Sequence, residues 1–189
     1  MIILKHLTVE HFRLLRQIDL HFPQRGSILI QGPNEAGKST LFESIYFALY
    51  GEPLSTEGTR RASANLDELI SYGEKITIVT LAIAVGATEL LITRTIERGQ
   101  GQKASLMVRR LGLPEEQAVT SLPIVNQRII RELGYLDGEA LRNAGLIEQK
   151  GLGRLERLSG SEREATLRRL LGLEKFTRLK EQFQVTPTD

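Results

Sequence analysis

Cysteine is absent from all 189 residues, which removes disulfides, thiolate metal sites and a thiol nucleophile from the chemistry open to this chain. Also absent is any apolar run near the roughly 20 residues that a membrane-spanning helix needs, so no membrane partner is expected. The opening "MIILKHLTVEHF" interrupts its apolar residues with Lys5, His6, Glu10 and His11. It therefore lacks the continuous core and small-residue cleavage site of a secretory signal, and the expected location is cytoplasmic. No repeat of a solenoid kind is visible. What remains is an ordinary globular composition, 41% hydrophobic and 25% charged, with room for one domain or a domain with a small appendage. A net charge of +2 and a sequence pI near 9.0 permit a nucleic-acid partner without demanding one.

Short β-rich runs predict strands at about 2–9, 17–22 and 26–31, the last two separated by the Pro/Gly break "PQRG". From Lys38 to Tyr50, Leu41, Phe42, Ile45 and Leu49 recur at helical spacing until Gly51 and Pro53 stop the run. A polar loop with Arg60 and Arg61 follows. Then "KITIVTLAIAV", "ELLITRTIER" and, after a flexible "GQGQ", "ASLMVRRL" predict an antiparallel meander of three strands. Ser121, with Pro123 in the first turn and Gly134 past the end, predicts a further helix. In the tail, Ser161 and Glu164 stand at capping-box spacing ahead of Leu167, Leu170 and Leu171, and a helical pattern resumes after Gly172 to about residue 184.

The chemistry-bearing stretch is "GPNEAGKS", Gly32 to Ser39, which fits the phosphate-binding pattern GxxxxGK[ST] with a β-run before it and a helix after it. Glycines let successive backbone N–H groups turn inward, making an anion nest at a helix N-terminus whose partial positive charge adds to the attraction. In this reading Asn34, Glu35, Ala36 and Gly37 form the nest and Lys38 bridges the β- and γ-phosphates. Ser39 holds Mg²⁺ through its hydroxyl, and Thr40 reaches the α-phosphate side. Glu35 is out of keeping, because a carboxylate near a triphosphate is unfavourable unless it faces solvent or a cation. The plainer alternative is a Gly-rich turn that caps a helix and does nothing more.

"LTVEHFRLLRQIDLHF", followed by "ILIQGPNEAGKSTLFESIYFALYG", resembles the N-terminal head segment of the SMC and SbcC family of ABC-type ATPases of chromosome structure and double-strand-break repair. The "FALYG" ending, Phe47 to Gly51, is similar to the SbcC branch. The resemblance implies an α/β P-loop NTPase fold with an antiparallel β subdomain and C-terminal helices leading toward a coiled coil. It implies ATP and Mg²⁺ as cofactors, with Arg13 of "HFR" near the phosphates and Ile70, Ser71 and Tyr72 near the adenosine end. Gln149, in "NAGLIEQKGLGRL", resembles the Q-loop glutamine that reaches Mg²⁺ or the attacking water, so Lys38 and Gln149 are the expected catalytic residues. A neutral amide suits that role, since it donates and accepts without repelling phosphate.

On this reading residues 1–51 carry the first strands, P-loop and helix, 52–120 a loop and the meander, and 121–158 a helix and the Q-loop region. Residues 159–184 form a helical exit, and 185–189 a tail. Hydrolysis in this class needs an apolar strand ending in Asp-Glu, and no segment after residue 51 has one. "LSGSE", Leu158 to Glu162, imitates the family's signature loop, but helix capping by Ser161 is its better explanation. The expectation is one half of an ATPase head, which binds ATP and hydrolyses it only with a C-terminal half of the same protein. A second head paired on ATP binding, DNA and a nuclease subunit are the further partners implied. The alternatives are a nucleotide-binding module without turnover, or another P-loop enzyme, RecF-like or a kinase, without a repair role.

Overall fold

The structure is a computed structural model that describes residues 2–54, 65–114, 116–142 and 159–170. The chain divides into two units, Met1–Ile129 and Ile130–Asp189.

In the first unit, β1 (Ile2–Phe12) and β2 (Leu15–His21) form a hairpin. The meander follows as β3 (Ile76–Val85), β4 (Thr88–Glu97) and β5 (Gly101–Arg110). All five join one antiparallel sheet in the order β2-β1-β3-β4-β5. Pairing of β1 with β3 unites the two sequence regions, with Leu7 opposite Leu81 and Val9 opposite Val79. Alternation then does the sorting: Leu7, Val9, Val79, Leu81, Leu90, Ile92, Ile96, Leu106 and Val108 point to one face and are almost wholly buried. Helix α1 (Lys38–Tyr50) packs against β1, β3 and β4. Tyr46, Phe47 and Ala48 bury there, and Phe47 meets Phe12 with ring centroids 5.6 Å apart.

Two expectations are corrected here. Residues 26–31 form no strand: Ile28 and Leu29 stay 45% and 78% exposed, with no ladder partner among the described residues. A β-rich run without a neighbouring strand has nowhere to place its backbone hydrogen bonds. "GQGQ" is also less loose than its composition suggests. Gly99 and Gly101 turn at positive φ, but Gly101 already opens β5, and Gln102 donates from Nε2 to the Gly51 carbonyl at 2.9 Å.

Helix α2 (Leu122–Glu132) starts where Ser121 suggests, its backbone carbonyl accepting from Val125 N at 2.8 Å, and Gly134 follows at φ 72. In the second unit Asp137 accepts from Ala140 N at 2.8 Å to start the single turn α3 (Gly138–Ala140). Helix α4 (Gly160–Leu170) shows the third correction. Its capping box is Ser159 with Glu162, not Ser161 with Glu164. The Ser159 N–H donates to Glu162 Oε2 at 2.9 Å while Ser159 Oγ accepts from Glu162 N at 3.4 Å. The helix begins at Gly160, so the reciprocal pair must start one residue earlier. The imitation signature is thus used up as a cap, although by a different serine. The expected helix from Gly172 to 184 lies outside the described residues.

Candidate nucleotide site

The loop from Gly32 to Gly37 runs over the surface, with Asn34, Glu35 and Ala36 exposed, and it turns into α1 at a buried Gly37. Two residues in this loop are left-handed, Glu35 at φ 63 and Gly37 at φ 85. Left-handed residues set between ordinary ones are what curl a backbone so that successive N–H groups converge. Glu35 is the unusual one, since only a few per cent of non-glycine residues adopt positive φ, and such residues concentrate at functional sites. Its carboxylate is exposed, which meets the condition that a triphosphate neighbour imposes on it. Gly37 suits its left-handed φ, and a Cβ there would lie 2.9 Å from the Leu15 side-chain tip, Cδ2.

Gly37 caps α1 without any side-chain hydrogen bond, and the first turn carries no acid. The first N–H groups of a helix have no partner inside it, so this end presents amide donors and a positive dipole with no internal anion to answer them. Lys38 folds back over its own loop, its Nζ donating to the Gly32 and Pro33 carbonyls at 2.8 and 2.5 Å. Ser39 is exposed and Thr40 buried.

Beside the loop stands the β1–β2 turn. Arg13 takes φ 48 at the first of its two turn residues, between the paired Phe12 and Leu15. A non-glycine residue there needs support, and the 69–71 segment supplies it. Arg13 N donates to Leu69 O at 2.8 Å, Ser71 Oγ donates to Arg13 O at 2.7 Å, and Ser71 N donates to His11 O at 2.8 Å. The structure thus joins two groups of residues chosen for separate reasons. Ile70 and Ser71 are buried and clamp the turn, while Tyr72 beside them is fully exposed. Leu14 of the same turn lies 3.6 Å from the Cβ position of Gly37. The Arg13 side chain, about a third exposed, sets its Nε 3.0 Å from Glu43 Oε2 on α1. Burial pushes the Glu43 carboxyl above its ordinary value, against the pull of Arg13 and the Leu54 backbone N–H.

Sequence reasoning missed the residue at the other end of α1. Arg94 lies at an inward position of β4, in phase with Leu90, Ile92 and Ile96, and is completely buried. Its guanidinium donates to the carbonyls of Ala48 and Leu49 at 2.7 and 3.1 Å and to Asn126 Oδ1 at 2.7 Å. These are the carbonyls that a helix C-terminus leaves without partners, and a cation there also answers the dipole. Desolvation lowers the Arg94 pKa to about 10, so it stays charged at neutral pH. Gly51 now has its reason: it sits at φ 71, and a Cβ would meet Arg94 Nη1 at 2.5 Å. The signal was readable, because an arginine in the apolar phase of a strand must find acceptors.

Gln149 belongs to residues 143–158, outside the described residues, as do Arg60 and Arg61. Among the described residues no strand ends in Asp-Glu.

A left-handed loop feeding an uncapped helix N-terminus, with a lysine at the first helical position and a clamped arginine turn beside it, is the arrangement of a P-loop ATPase-like fold with an antiparallel sheet. The chain belongs to the AAA domain family, whose model matches residues 6–185. Its relatives bear out the SMC and SbcC kinship. It is 28% identical over 174 residues to the DNA double-strand break repair Rad50 ATPase of Methanocaldococcus jannaschii, covering 92% of this chain and 16% of that protein. It is 38% identical over 96 residues to the SbcC component of the SbcCD nuclease of Deinococcus radiodurans, covering 50% of this chain and 10% of that one. To the DNA replication and repair protein RecF of Lactobacillus acidophilus it is 30% identical over 160 residues, 77% of this chain and 41% of the relative. The chain thus spans less than half the length of each. No described helix is long and apolar enough to cross a membrane.

Proposed function

We propose that this chain is the ATP-binding part of an SMC and SbcC type ATPase that couples nucleotide binding and hydrolysis to double-strand-break processing. The observation that carries the reading is the pairing of an unanswered helix N-terminus at Gly37 with two cations beside it, Lys38 and Arg13. A triphosphate is the ligand chemistry that such a site suits, since its anionic oxygens match backbone donors, an ammonium and a guanidinium together. Asn34 to Gly37 would line the nest, Lys38 would move from the Gly32 and Pro33 carbonyls to the phosphates, and Ser39, whose hydroxyl faces solvent, would take the Mg²⁺. The bound ion supplies charge neutralisation at the phosphates. Of the three residues assigned to the adenosine end, Tyr72 has the exposed ring for stacking, and Ile70 and Ser71 serve by holding the Arg13 turn.

Hydrolysis needs an acidic strand end, a Q-loop and a signature loop. We assign Gln149 to the second of these and place the others in a C-terminal part of the same ATPase and in a second head. Exposed Leu14, Ile28, Leu29 and Phe42, around the P-loop and its helix, support such a covering partner. DNA and a nuclease subunit complete the proposed assembly, and the names of the Rad50 and SbcCD relatives support both.

The experiment is a titration of the chain with a fluorescent ATP analogue beside Lys38→Ala. The variant should bind at least about a hundredfold more weakly, the effect of removing a cation from a charge-assisted contact in an enclosed site. Equal weak binding by both chains would end the nucleotide assignment. Lys38 is partly exposed and, among the described residues, bonds to its own loop, so the variant's melting point should stay where it is.

A further inference from the structure

The β1–β2 hairpin carries a second constellation at its far end. His6 and His21 are directly opposite each other across the two strands, and Asp19 lies two residues from His21 on the same face. The two imidazoles stack with centroids 3.9 Å apart and planes within 6°. Both aim Nε2 at one carboxylate oxygen: Asp19 Oδ1 is 2.7 Å from His6 Nε2 and 3.7 Å from His21 Nε2. The three ligand atoms lie within 4.8 Å of one another. This is the face opposite the buried Leu7 and Val9, and no part of the nucleotide reading uses it. From His6 to Arg13 the strand extends for about 20 Å, so the cluster is remote from the phosphates and their Mg²⁺.

We propose that His6, Asp19 and His21 form a transition-metal site of the zinc class, which clips the edge strand β2 onto β1. Two neutral imidazoles and one carboxylate are a donor set for Zn²⁺ and its neighbours, whereas Mg²⁺ prefers oxygen ligands throughout. Bonds of about 2.1 Å in a tetrahedron put ligand atoms about 3.4 Å apart. The two nitrogen–oxygen separations straddle that value, so small rotations of exposed side chains close the site. For His6 to ligate as a neutral imidazole its proton sits on Nδ1, so that the Nε2 lone pair is turned from the Asp19 hydrogen bond to the ion. Water takes the fourth position, or a ligand from a partner does.

The test is a calorimetric titration of Zn²⁺ into the full 189-residue chain in a non-chelating buffer containing Mg²⁺. His21→Ala, Asp19→Asn and Lys38→Ala are run beside it. One ion per chain should bind at about micromolar affinity, weakened at least about tenfold by His21→Ala and by Asp19→Asn and left alone by Lys38→Ala. Both hairpin substitutions fall on exposed side chains, so circular dichroism should be unchanged, and Co²⁺ in place of Zn²⁺ should give a visible absorption band that the same two variants lose. The proposal is overturned if no saturable one-to-one binding is seen, if both hairpin variants bind as the parent does, or if Lys38→Ala abolishes the binding.

Discussion

The two ends of α1 are built on opposite rules. At the C-terminus every device closes: Gly51 N donates to Phe47 O at 2.7 Å, Arg94 takes the carbonyls of Ala48 and Leu49, and Gln102 holds Gly51 O. At the N-terminus nothing closes: the cap residue is a glycine, no side chain bonds the first amides, and the first turn holds no acid. A capping side chain is commonly worth about 1 kcal/mol over alanine and only about a few tenths over glycine, so the glycine at this end forgoes little stability while leaving the first amides open. The difference teaches that the helix is anchored from one end so that the other end is kept available for an anion.

Arg94→Leu should break the anchored end most severely. It leaves two buried carbonyls without a donor and takes a partner from the part-buried amide oxygens of Asn126 and Gln102, at a cost of about 3–5 kcal/mol. Urea unfolding should show that loss at any pH between 5 and 9. The folded pKa of about 10 lies below the ordinary guanidinium value, so stability through this group changes with pH only above about 10, rising there as the unfolded chain keeps the proton longer. A loss that varied strongly between pH 5 and 9 would mean that Arg94 is not the cap described.

Next come the two glycines, one at each end and both left-handed. Gly51→Ala sets a methyl 2.5 Å from an immobilised guanidinium and should cost about 2 kcal/mol, with nucleotide affinity unchanged in the folded fraction. Gly37→Ala presses only on the tip of Leu15, a side chain that yields, and should cost about 1 kcal/mol. Its effect on affinity should be the larger of the two, at least about tenfold, because the strain falls on the nest. Thermal melts read beside nucleotide titrations separate the pair, and equal affinity losses would dissolve the distinction between the two ends.

How much of this is legible in the sequence follows from the range of each interaction. The P-loop is legible because its pattern, Gly32 to Ser39, is local and its physics lies in the backbone. The meander is legible from alternation within each strand. The pairing of β1 with β3, which builds a single sheet, rests on contacts between residues far apart in the chain, such as Leu7 and Leu81, and no period in the sequence encodes that. The run 26–31 misleads because β propensity cannot show whether a ladder partner is present. "FALYG" stands out as a pattern, but what requires its glycine, Arg94, lies in strand β4. In the cap at Ser159, two serines and two acids offer overlapping boxes, and the helix start decides between them.

The smallest predicted effect concerns the ion pair of the β1–β2 turn with α1, Arg13 with Glu43. Burial raises the Glu43 pKa above 4.5, so this carboxyl favours the folded state in its protonated form. Its contribution is complete below pH 4.5 and is lost as pH rises through the folded value, opposite in sign to Asp19, Glu89, Glu116 and Glu162, whose pKa values are lowered. Glu43→Gln removes that loss and also the attraction to Arg13. The two largely offset, and the variant should gain less than about 1 kcal/mol at pH 7 and nothing at about pH 4. The difference between parent and variant stability curves isolates this group from the acids of opposite sign. With its carboxylate competitor gone, Arg13 should also serve the phosphates better, tightening nucleotide binding about threefold. If affinity falls instead, Glu43 orients Arg13 toward the nucleotide rather than holding it back, and the open end has a second anchor.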